Sequence, residues 1–349
     1  METKVVYMDE AHIDEQVLAE AGRYIKQGEL VAFPTETVYG LGGDALRPDS
    51  SRKIYAAKNR PGDNPLIIHI AKWEDIHHIC CDIPEAAHKL AEAFWPGPLT
   101  MILKKRDIVP LETTGGLSTV AVRLPEHAVA RAFIEAAGGY VAAPSANVSG
   151  RPSPTLAKYV LEDMEGKIPL IIDGGPVGIG VESTIVDLTE EVPMILRPGY
   201  ITRKMLEGVV GRVSEDRTMT EALKDVAPKA PGMKYRHYAP KGNLTIVAGP
   251  EEQVAEYINE ACRVAAAQGQ RTGVLCTMET LDRYQADSVK CVGTRADEST
   301  VAQGLYQMLR ECDDENLEVL FAESFPTEGI GQAIMNRLLK AAGHQVVQL

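Results

Sequence analysis

The sequence predicts an α/β protein with two domains, and three observations lead to this expectation. Its 349 residues, 45% of them apolar, are enough for more than one hydrophobic core. Strand-like and helical segments alternate over much of the chain. The segment 227–242, "APKAPGMKYRHYAPKG", interrupts this alternation with prolines and glycines. We therefore expect a linker there, with one domain on each side.

The first domain is predicted to contain one large twisted sheet with flanking helices. Helical patterns are expected at about 11–27, 49–58, 84–93, 126–137 and 155–164. Strand-like segments outnumber them: "ELVAF", "PLIIHI", "LTMILKK", "TVAVRLP", "GYVAAPS", "PLIIDGG", "STIVDL" and "PMILRPG". The excess of strands indicates an α+β or α/β architecture rather than a helical bundle.

After the linker, strands and helices alternate regularly, which predicts a smaller parallel α/β domain. The expected order is "NLTIVAG", helix 251–268, "TGVLC", helix 298–312, "LEVLFAES" and helix 329–342. The last segment, "GIGQAIMNRLLKAAG", has the pattern of an amphipathic core helix. A phosphate-binding glycine fingerprint is not found here, so we expect a structural, regulatory or docking role.

Composition excludes several classes of function. The net charge of −13 and an aromatic content of 5% argue against a general nucleic-acid binder. The longest apolar runs are too short to span a bilayer, and the first residues lack the pattern of a signal peptide. Six cysteines without a C-x-x-C pair favour reduced thiols. We therefore expect a cytoplasmic protein without a membrane partner.

The stretch "FPTETVYGLGGDA" (33–45) raises the question of a nucleotide site. It contains G-L-G-G-D-A, which formally matches the dinucleotide fingerprint. However, the preceding strand ends near Phe33 and the next helix is expected to begin at the Asp49/Ser50 cap, so the glycines do not form the strand-to-helix turn. We interpret 33–45 as a loop. No P-loop motif is present either.

Basic residues recur where predicted helices and strands end. Lys58 and Arg60 close a helix before Pro61 and Gly62, where they could simply complement the helix dipole. His69 interrupts an apolar strand and could be a hydrogen-bonded core residue or face those basic groups. Arginine on a buried strand is costly without an anionic partner.

Two arginines, Arg123 and Arg197, are placed in this way at strand ends. Together they suggest either a common bound anion or internal salt bridges to Glu36, Glu182 or Asp187, and the sequence leaves both open.

Two polar loops complete the pattern. "APSANVSGRPSPT" (143–155) carries serines and Asn147, and Ser153 before Pro154 is a predicted helix N-cap. "GGPVGIGVESTIVD" (174–187) ends in Glu182, Ser183 and Thr184. No nucleophile elbow is found. The side chains of neighbouring residues point in different directions, so a plausible metal cluster is not formed by His77, His78, Cys80 and Cys81. Positioning and charge neutralisation, as in phosphoryl or nucleotidyl transfer, are therefore favoured.

Seven motifs in order resemble one family, the YrdC-type threonylcarbamoyl-AMP synthases in their long, two-domain form. They are "FPTETVYGLG", "KNRPGDNPLIIHI", "FWPGPLT", "VAVRLPEH", "APSANVSGRPSPT", "VESTIVD" and "ILRPG". The resemblance implies a catalytic domain at 1–210 with a mixed sheet and a basic cavity. It also implies a linker at 211–242 that closes over the site, and a Rossmann-like domain at 243–349.

The resemblance further implies that L-threonine, bicarbonate and ATP, with Mg²⁺, give L-threonylcarbamoyl-AMP and pyrophosphate. Downstream proteins would use this product to form N6-threonylcarbamoyladenosine next to the anticodon of ANN-decoding tRNAs. The residues implied to hold L-threonine are Thr35, His69, Arg123, Ser145 and Ser183. Those implied for ATP are Lys58, Gly62, Thr119, Asn147, Thr155, Arg197 and Tyr238, with Lys58 and Arg60 assigned to catalysis. No protein-bound metal is expected. The alternative is a double-stranded RNA-binding module without catalysis.

Overall fold

The computed structural model describes residues 2–216, 230–231 and 237–349. Contacts between Cα atoms divide the chain into two units. The first comprises Met1–Ser149, Ser153–Gly178 and Glu182–Tyr235, and the second comprises Gly150–Pro152, Ile179–Val181 and Arg236–Leu349. The boundaries predicted at 210 and 242 remain predictions, because much of 211–242 lies outside the described residues. Over the described ranges, no helix combines the length and the apolar character that crossing a membrane requires.

The first unit is built on a twelve-stranded mixed sheet. Its strands are β1 (Lys4–Tyr7), β2 (Val31–Phe33), β3 (Gly40–Asp44), β4 (Ile67–Ile70), β5 (Cys80–Cys81), β6 (Leu99–Lys105), β7 (Thr119–Arg123), β8 (Tyr140–Ala143), β9 (Leu170–Asp173), β10 (Thr184–Asp187), β11 (Met194–Arg197) and β12 (Ser214–Glu215). Their order is β1-β9-β2-β3-β8-β4-β7-β6-β10-β11-β12, with β5 paired to β6. The sheet contains both parallel pairs, such as β4 with β7, and antiparallel pairs, such as β6 with β7. The predicted mixed sheet is confirmed.

Seven helices of the described part of this unit flank the sheet. They are α1 (Glu15–Lys26), α2 (Pro48–Lys58), α3 (Ile76–Ile79), α4 (Glu85–Phe94), α5 (Ala128–Ala137), α6 (Ala157–Met164) and α7 (Arg203–Val210). Asp14 caps α1, its carboxylate accepting from the Gln16 and Val17 amides. The buried stripe of α1 packs on α5 so closely that a Cβ at Gly22 would lie 2.4 Å from the Ala136 carbonyl oxygen.

Three local predictions were wrong. Gly40–Asp44 is a strand, β3, antiparallel to β2, and not part of a loop. Helix α2 begins at Pro48 after Arg47, because proline fits the first helical position, and neither Asp49 nor Ser50 is its cap. Helix α6 begins at Ala157 rather than near 155, because the Ser153 hydroxyl donates to Glu182 Oε1 at 2.6 Å instead of capping a helix.

The central strands separate two environments. Side chains alternate along a strand, so Ile68, Met101 and Val122 point to one face and enter the larger core of the first unit. The opposite face carries a smaller apolar cluster: Ile67, Ile102, Ala121, Ile185, Leu196 and Ala230. Because polar residues share that face with the small cluster, it is the face that can hold a site.

The second unit has a five-stranded parallel sheet, as the alternation predicted. Its strands are β13 (Asn243–Ala248), β14 (Thr272–Cys276), β15 (Ser288–Cys291), β16 (Val319–Glu323) and β17 (Val346–Gln348) in the order β15-β14-β16-β13-β17. Its helices are α8 (Glu251–Ala267), α9 (Glu298–Asp314) and α10 (Gly331–Ala341). The short strands β15 and β17 were not predicted.

Candidate active site

One register row crosses the site face of the first sheet. His69 on β4 pairs with Arg123 on β7, and Arg123 pairs with Thr100 on β6. Thr100 pairs with Ile185 on β10, which pairs in turn with Arg197 on β11. Register partners on neighbouring strands point to the same face. A buried imidazole, two guanidiniums and a hydroxyl from strands far apart in the sequence therefore lie in one line.

The Arg123 guanidinium forms one ion pair and two hydrogen bonds to neutral acceptors. Its Nη2 lies 2.6 Å from Glu36 Oε1, with both side chains almost fully buried. Its Nη1 donates to Thr37 Oγ1 at 2.8 Å and its Nε to the Gly97 carbonyl at 3.3 Å. Of the internal partners considered for this arginine, Glu36 is the one found. The predicted role in binding L-threonine remains a prediction, since this ion pair neither supports nor excludes it.

His69 is an uncharged group in this row. It is 5% exposed, and its Nδ1 lies 3.2 Å from the Ile67 carbonyl oxygen. The ring of Phe33 meets it edge-on at 5.9 Å between centroids. Burial, together with the nearby charge of Arg123, lowers the pKa of His69 to about 3. The imidazole therefore acts as a neutral hydrogen-bonding group throughout the physiological range.

This low pKa predicts a loss of stability in acid. An unfolded histidine protonates near pH 6.5, whereas folded His69 stays neutral to about pH 3, so stability falls as the pH drops below 6.5. Between pH 7.5 and pH 5 the contribution is about 2 kcal/mol. In urea unfolding at both pH values, the free energy of unfolding should fall by about 2 kcal/mol less in His69→Gln than in the wild type. Equal losses in the two proteins would contradict the assignment.

The loop 34–39 between β2 and β3 brings hydroxyls to the same region. Thr35 is buried, and its Oγ1 donates to the Val38 carbonyl at 2.7 Å and contacts Thr37 Oγ1 at 2.9 Å. Thr37 in turn accepts from Arg123, so Thr35 and Arg123 belong to one network. Gly40 follows, where a Cβ would lie 2.9 Å from the Phe33 ring.

Lys58 lies at the last residue of α2 but does not cap its own helix. It is 1% exposed, and its ammonium donates to the carbonyls of Ser145 and Asn147 in the loop after β8. The Ser149 amide donates back to the Lys58 carbonyl at 2.8 Å. Ser145 Oγ also donates to Asn147 Oδ1 at 2.5 Å. The structure thus brings three predicted site residues, Lys58, Ser145 and Asn147, into direct contact.

Ser183 contacts two members of the register row, Thr100 and Arg197. Its Oγ lies 2.7 Å from Thr100 Oγ1 and accepts from Arg197 Nη2 at 3.2 Å. Arg197 Nε donates to the Ser183 carbonyl at 3.1 Å, and Nη1 to the Pro231 carbonyl at 3.4 Å. Ser183 and Arg197, predicted for different substrates, are therefore immediate neighbours.

Other predicted residues are less closely associated. Arg60 donates to the Asn64 and Pro65 carbonyls at 3.3 and 3.1 Å, where it shapes the turn after α2. Gly62 in this turn is exposed. Thr119 begins β7 on the face of Arg123, roughly 13 Å away along the strand. These contacts leave the roles predicted for the three residues untested.

Thr155 and Tyr238 differ in their surroundings. Thr155 is buried, and its Oγ1 has no hydrogen-bond partner among the described residues, which is typical of a group that meets a ligand or water. Tyr238, in the second unit, has a φ of 66° and packs on the Tyr306 ring at 5.2 Å. The neighbouring linker residues 232–236 lie outside the described residues, so closure over the nucleotide stays a prediction.

The sequence did not single out Thr37 or Thr100. Thr37 lies in the quoted "FPTETVYGLG" motif, but its contact with Arg123 depends on a loop conformation. Thr100 is 0% exposed within the apolar β6 and could be identified only from its register with Arg123. A lone threonine in an apolar strand is also a common core residue, so the pattern alone does not mark it.

Comparisons with known proteins identify the family of this chain. The Sua5_yciO_yrdC family model, described as "Telomere recombination", matches residues 23–199, and a model described as "Threonylcarbamoyl-AMP synthase, C-terminal domain" matches 201–343. The chain is 47% identical to a threonylcarbamoyl-AMP synthase of Bacillus subtilis, with 97% of each chain covered. It is 46% identical to one of Pyrococcus abyssi, again with 97% of each chain covered.

A solved structure agrees as well. The crystal structure of P. abyssi Sua5 complexed with L-threonine matches with a TM-score of 0.93 and 44% identity, covering 100% of both chains. A non-catalytic RNA-binding module is not favoured, since the full-length relatives are named as synthases. Two family models matched in order and full-length relatives at this level of identity show that the chain belongs to the YrdC-type threonylcarbamoyl-AMP synthases in their two-domain form.

Proposed function

We propose that this chain joins L-threonine, bicarbonate and ATP into L-threonylcarbamoyl-AMP with release of pyrophosphate. The observation that carries the proposal is the register row from His69 to Arg197, which lines up two buried guanidiniums with an imidazole and a hydroxyl on one face of the sheet. Such a row suits a reaction between anions, and the relatives named as threonylcarbamoyl-AMP synthases support it.

The reaction requires two negatively charged groups to meet. The threonine nitrogen first attacks the carbon of bicarbonate, so that an N–C bond forms, a C–O bond breaks and water leaves. An oxygen of the resulting carbamate then attacks the α-phosphorus of ATP. A new O–P bond forms to that oxygen, while the bond between the α-phosphorus and the bridging oxygen breaks and pyrophosphate leaves. Fixed cations offset the repulsion between these anions without reorganising, which is the largest contribution that a protein can make to such a step.

The contacts suggest how the residues divide this task. His69, Arg123 and Thr35 would hold L-threonine, with Arg123 facing its carboxylate, and Ser145 and Ser183 would border the two substrates. Lys58, Asn147, Thr155 and Arg197 would hold ATP, together with Arg60, Gly62, Thr119 and Tyr238. The buried Thr155 hydroxyl supports this division, because a phosphate oxygen would supply its partner.

Mg²⁺ would enter with ATP rather than on a protein site. Among the described residues, no group of three or more His, Cys, Asp or Glu side chains is arranged to hold a metal ion. The phosphates of ATP would be its ligands, as they are for this ion in kinase and polymerase sites. The product, a mixed anhydride, reacts readily with water, so the downstream tRNA-modifying proteins would have to receive it quickly.

The proposal predicts that pyrophosphate release from ATP depends on both L-threonine and bicarbonate. We expect release to fall to the background rate when either is omitted, and we expect the adenylate to appear in equal amount by mass spectrometry. Release that is independent of threonine, or release of phosphate instead of pyrophosphate, would contradict the proposal. L-Serine provides a matched control substrate, because it lacks only the methyl group.

A further inference from the structure

Two short segments that lie far from the rest of the second unit in the sequence belong to it by their contacts: Gly150–Pro152 and Ile179–Val181. Both interrupt loops that carry predicted site residues. Asn147 and Thr155 lie on either side of the first segment, and Ser183 follows the second by two residues. The second unit therefore contains two pieces of chain that are continuous with the loops of these residues.

Arg310 on α9 fixes the first segment. Its side chain is 1% exposed, and both Nε and Nη2 donate to the Pro152 carbonyl, at 3.0 and 2.7 Å. Burying a guanidinium is costly, and the planar fork of arginine places two donors on one acceptor in a defined direction. Two bonds to a single carbonyl therefore constrain the position and the tilt of that peptide.

Other contacts within the second unit hold the same segment. The Ala239 amide donates to the Gly150 carbonyl at 2.8 Å. Arg151 Nη2 lies 3.7 Å from Asp313 Oδ2, one turn of α9 beyond Arg310. The carbonyls of Gly150 and Pro152 thus both accept hydrogen bonds from other residues of the second unit.

The second segment meets the same helix through a glycine. Gly180 has a φ of 85°, and a Cβ there would lie 2.4 Å from Gln303 Cα and 2.5 Å from the Ala302 carbonyl oxygen. Both the backbone conformation and the close approach require glycine. The two segments therefore lie on α9, one through a hydrogen-bonded arginine and the other through direct backbone packing.

We propose that Arg310 is a positioning residue for the reaction. Through the Pro152 carbonyl it sets the positions of Asn147 and Thr155, which are joined to that peptide by only a few residues. The contact between Ser153 and Glu182 couples the loops that follow the two segments. The role rests on the proposed function of these residues in holding ATP.

The experiment compares Arg310→Met with Arg271→Met in the full chain. Arg271 is the matched control, because its Nη1 also donates to a backbone carbonyl in the second unit, that of Glu315, but at neither segment. We expect Arg310→Met to raise the KM for ATP about tenfold or more while the KM for L-threonine stays within about twofold. Arg271→Met should change neither. Equal KM values in Arg310→Met and wild type would overturn the role.

Three further experiments keep the inference separate from the proposed function and from misfolding. Amide hydrogen exchange of residues 147–155 should rise in Arg310→Met even if the enzyme acts on another substrate, and unchanged exchange would overturn the positioning role. Gly180→Ala should raise the KM for ATP by displacing the second segment. Arg310→Lys, which keeps one donor, should recover part of the ATP affinity. A wild type without threonine-dependent pyrophosphate release would instead refute the proposed function.

Discussion

Replacing Arg123 by methionine is expected to reduce threonine-dependent pyrophosphate release strongly and to destabilise the protein. The guanidinium and Glu36 form an almost fully buried ion pair, so removing one partner leaves a buried, uncompensated carboxylate. Loss of one member of such a pair costs about 3 to 5 kcal/mol of unfolding free energy. Activity should fall by at least about 100-fold, as expected for a fixed cation next to developing charge. Denaturant unfolding and the pyrophosphate assay measure the two effects.

The double variant Arg123→Met/Glu36→Gln separates structure from substrate binding. It removes both charges, so we expect most of the lost stability to return. Calorimetric binding of L-threonine should stay undetectable, because the proposed partner of its carboxylate is still missing. If the double variant regained both stability and threonine affinity, Arg123 would be a structural residue only.

Replacing Lys58 by methionine should have the second largest effect. The ammonium joins the end of α2 to the carbonyls of Ser145 and Asn147, and its loss leaves one buried and one half-buried acceptor without this donor. Each such acceptor costs about 1 to 3 kcal/mol. We expect kcat/KM for ATP to fall by about 100- to 1,000-fold, because a fixed cation and the loop that it holds are lost together. Steady-state kinetics at a temperature where the variant is folded provide the measurement.

Lys53→Met is the matched control on the same helix. Lys53 is exposed and forms an ion pair with Glu29 at 2.7 Å, so its loss should change stability by less than about 1 kcal/mol and leave kinetics unchanged. If Lys58→Met lost stability but kept its kcat/KM for ATP, the lysine would serve only to hold the loop after β8.

Much of the architecture could be predicted because burial imposes a period on the sequence. The strands that carry His69, Arg123 and Arg197 are apolar runs with one basic residue near the end, and such residues stand out. The alternation after residue 243 likewise predicted the parallel sheet of the second unit. Seven motifs in a fixed order then indicated the family, which the comparisons confirm.

The errors arose where a long-range contact overrides a local preference. Gly40–Asp44 has the composition of a turn, and it becomes a strand because it pairs with both β2 and β8. Ser153 has the composition of a helix cap, but its hydroxyl finds Glu182 29 residues further along the chain. Local propensity contains no information about partners at such distances.

The register row could not be predicted for a related reason. Each strand could be identified alone, but pairing Thr100 with Arg123 requires the order of β6, β7 and β10 in the sheet. A shift of one residue would turn every side chain to the other face. The candidate residues were therefore found one by one, whereas their alignment follows only from the folded sheet.

The glycines of β3 leave room for no larger side chain at their positions, and this restriction affects residues on other strands. Added methyl groups at Gly40 and Gly42 would come within 2.9 and 3.1 Å of the Phe33 ring, and that ring presses edge-on against the His69 imidazole. A bulkier residue on β3 would push the aromatic ring and, with it, the imidazole. Two glycines on β3 thus help to set the position of a neutral hydrogen-bonding group that lies two strands away in the sheet order.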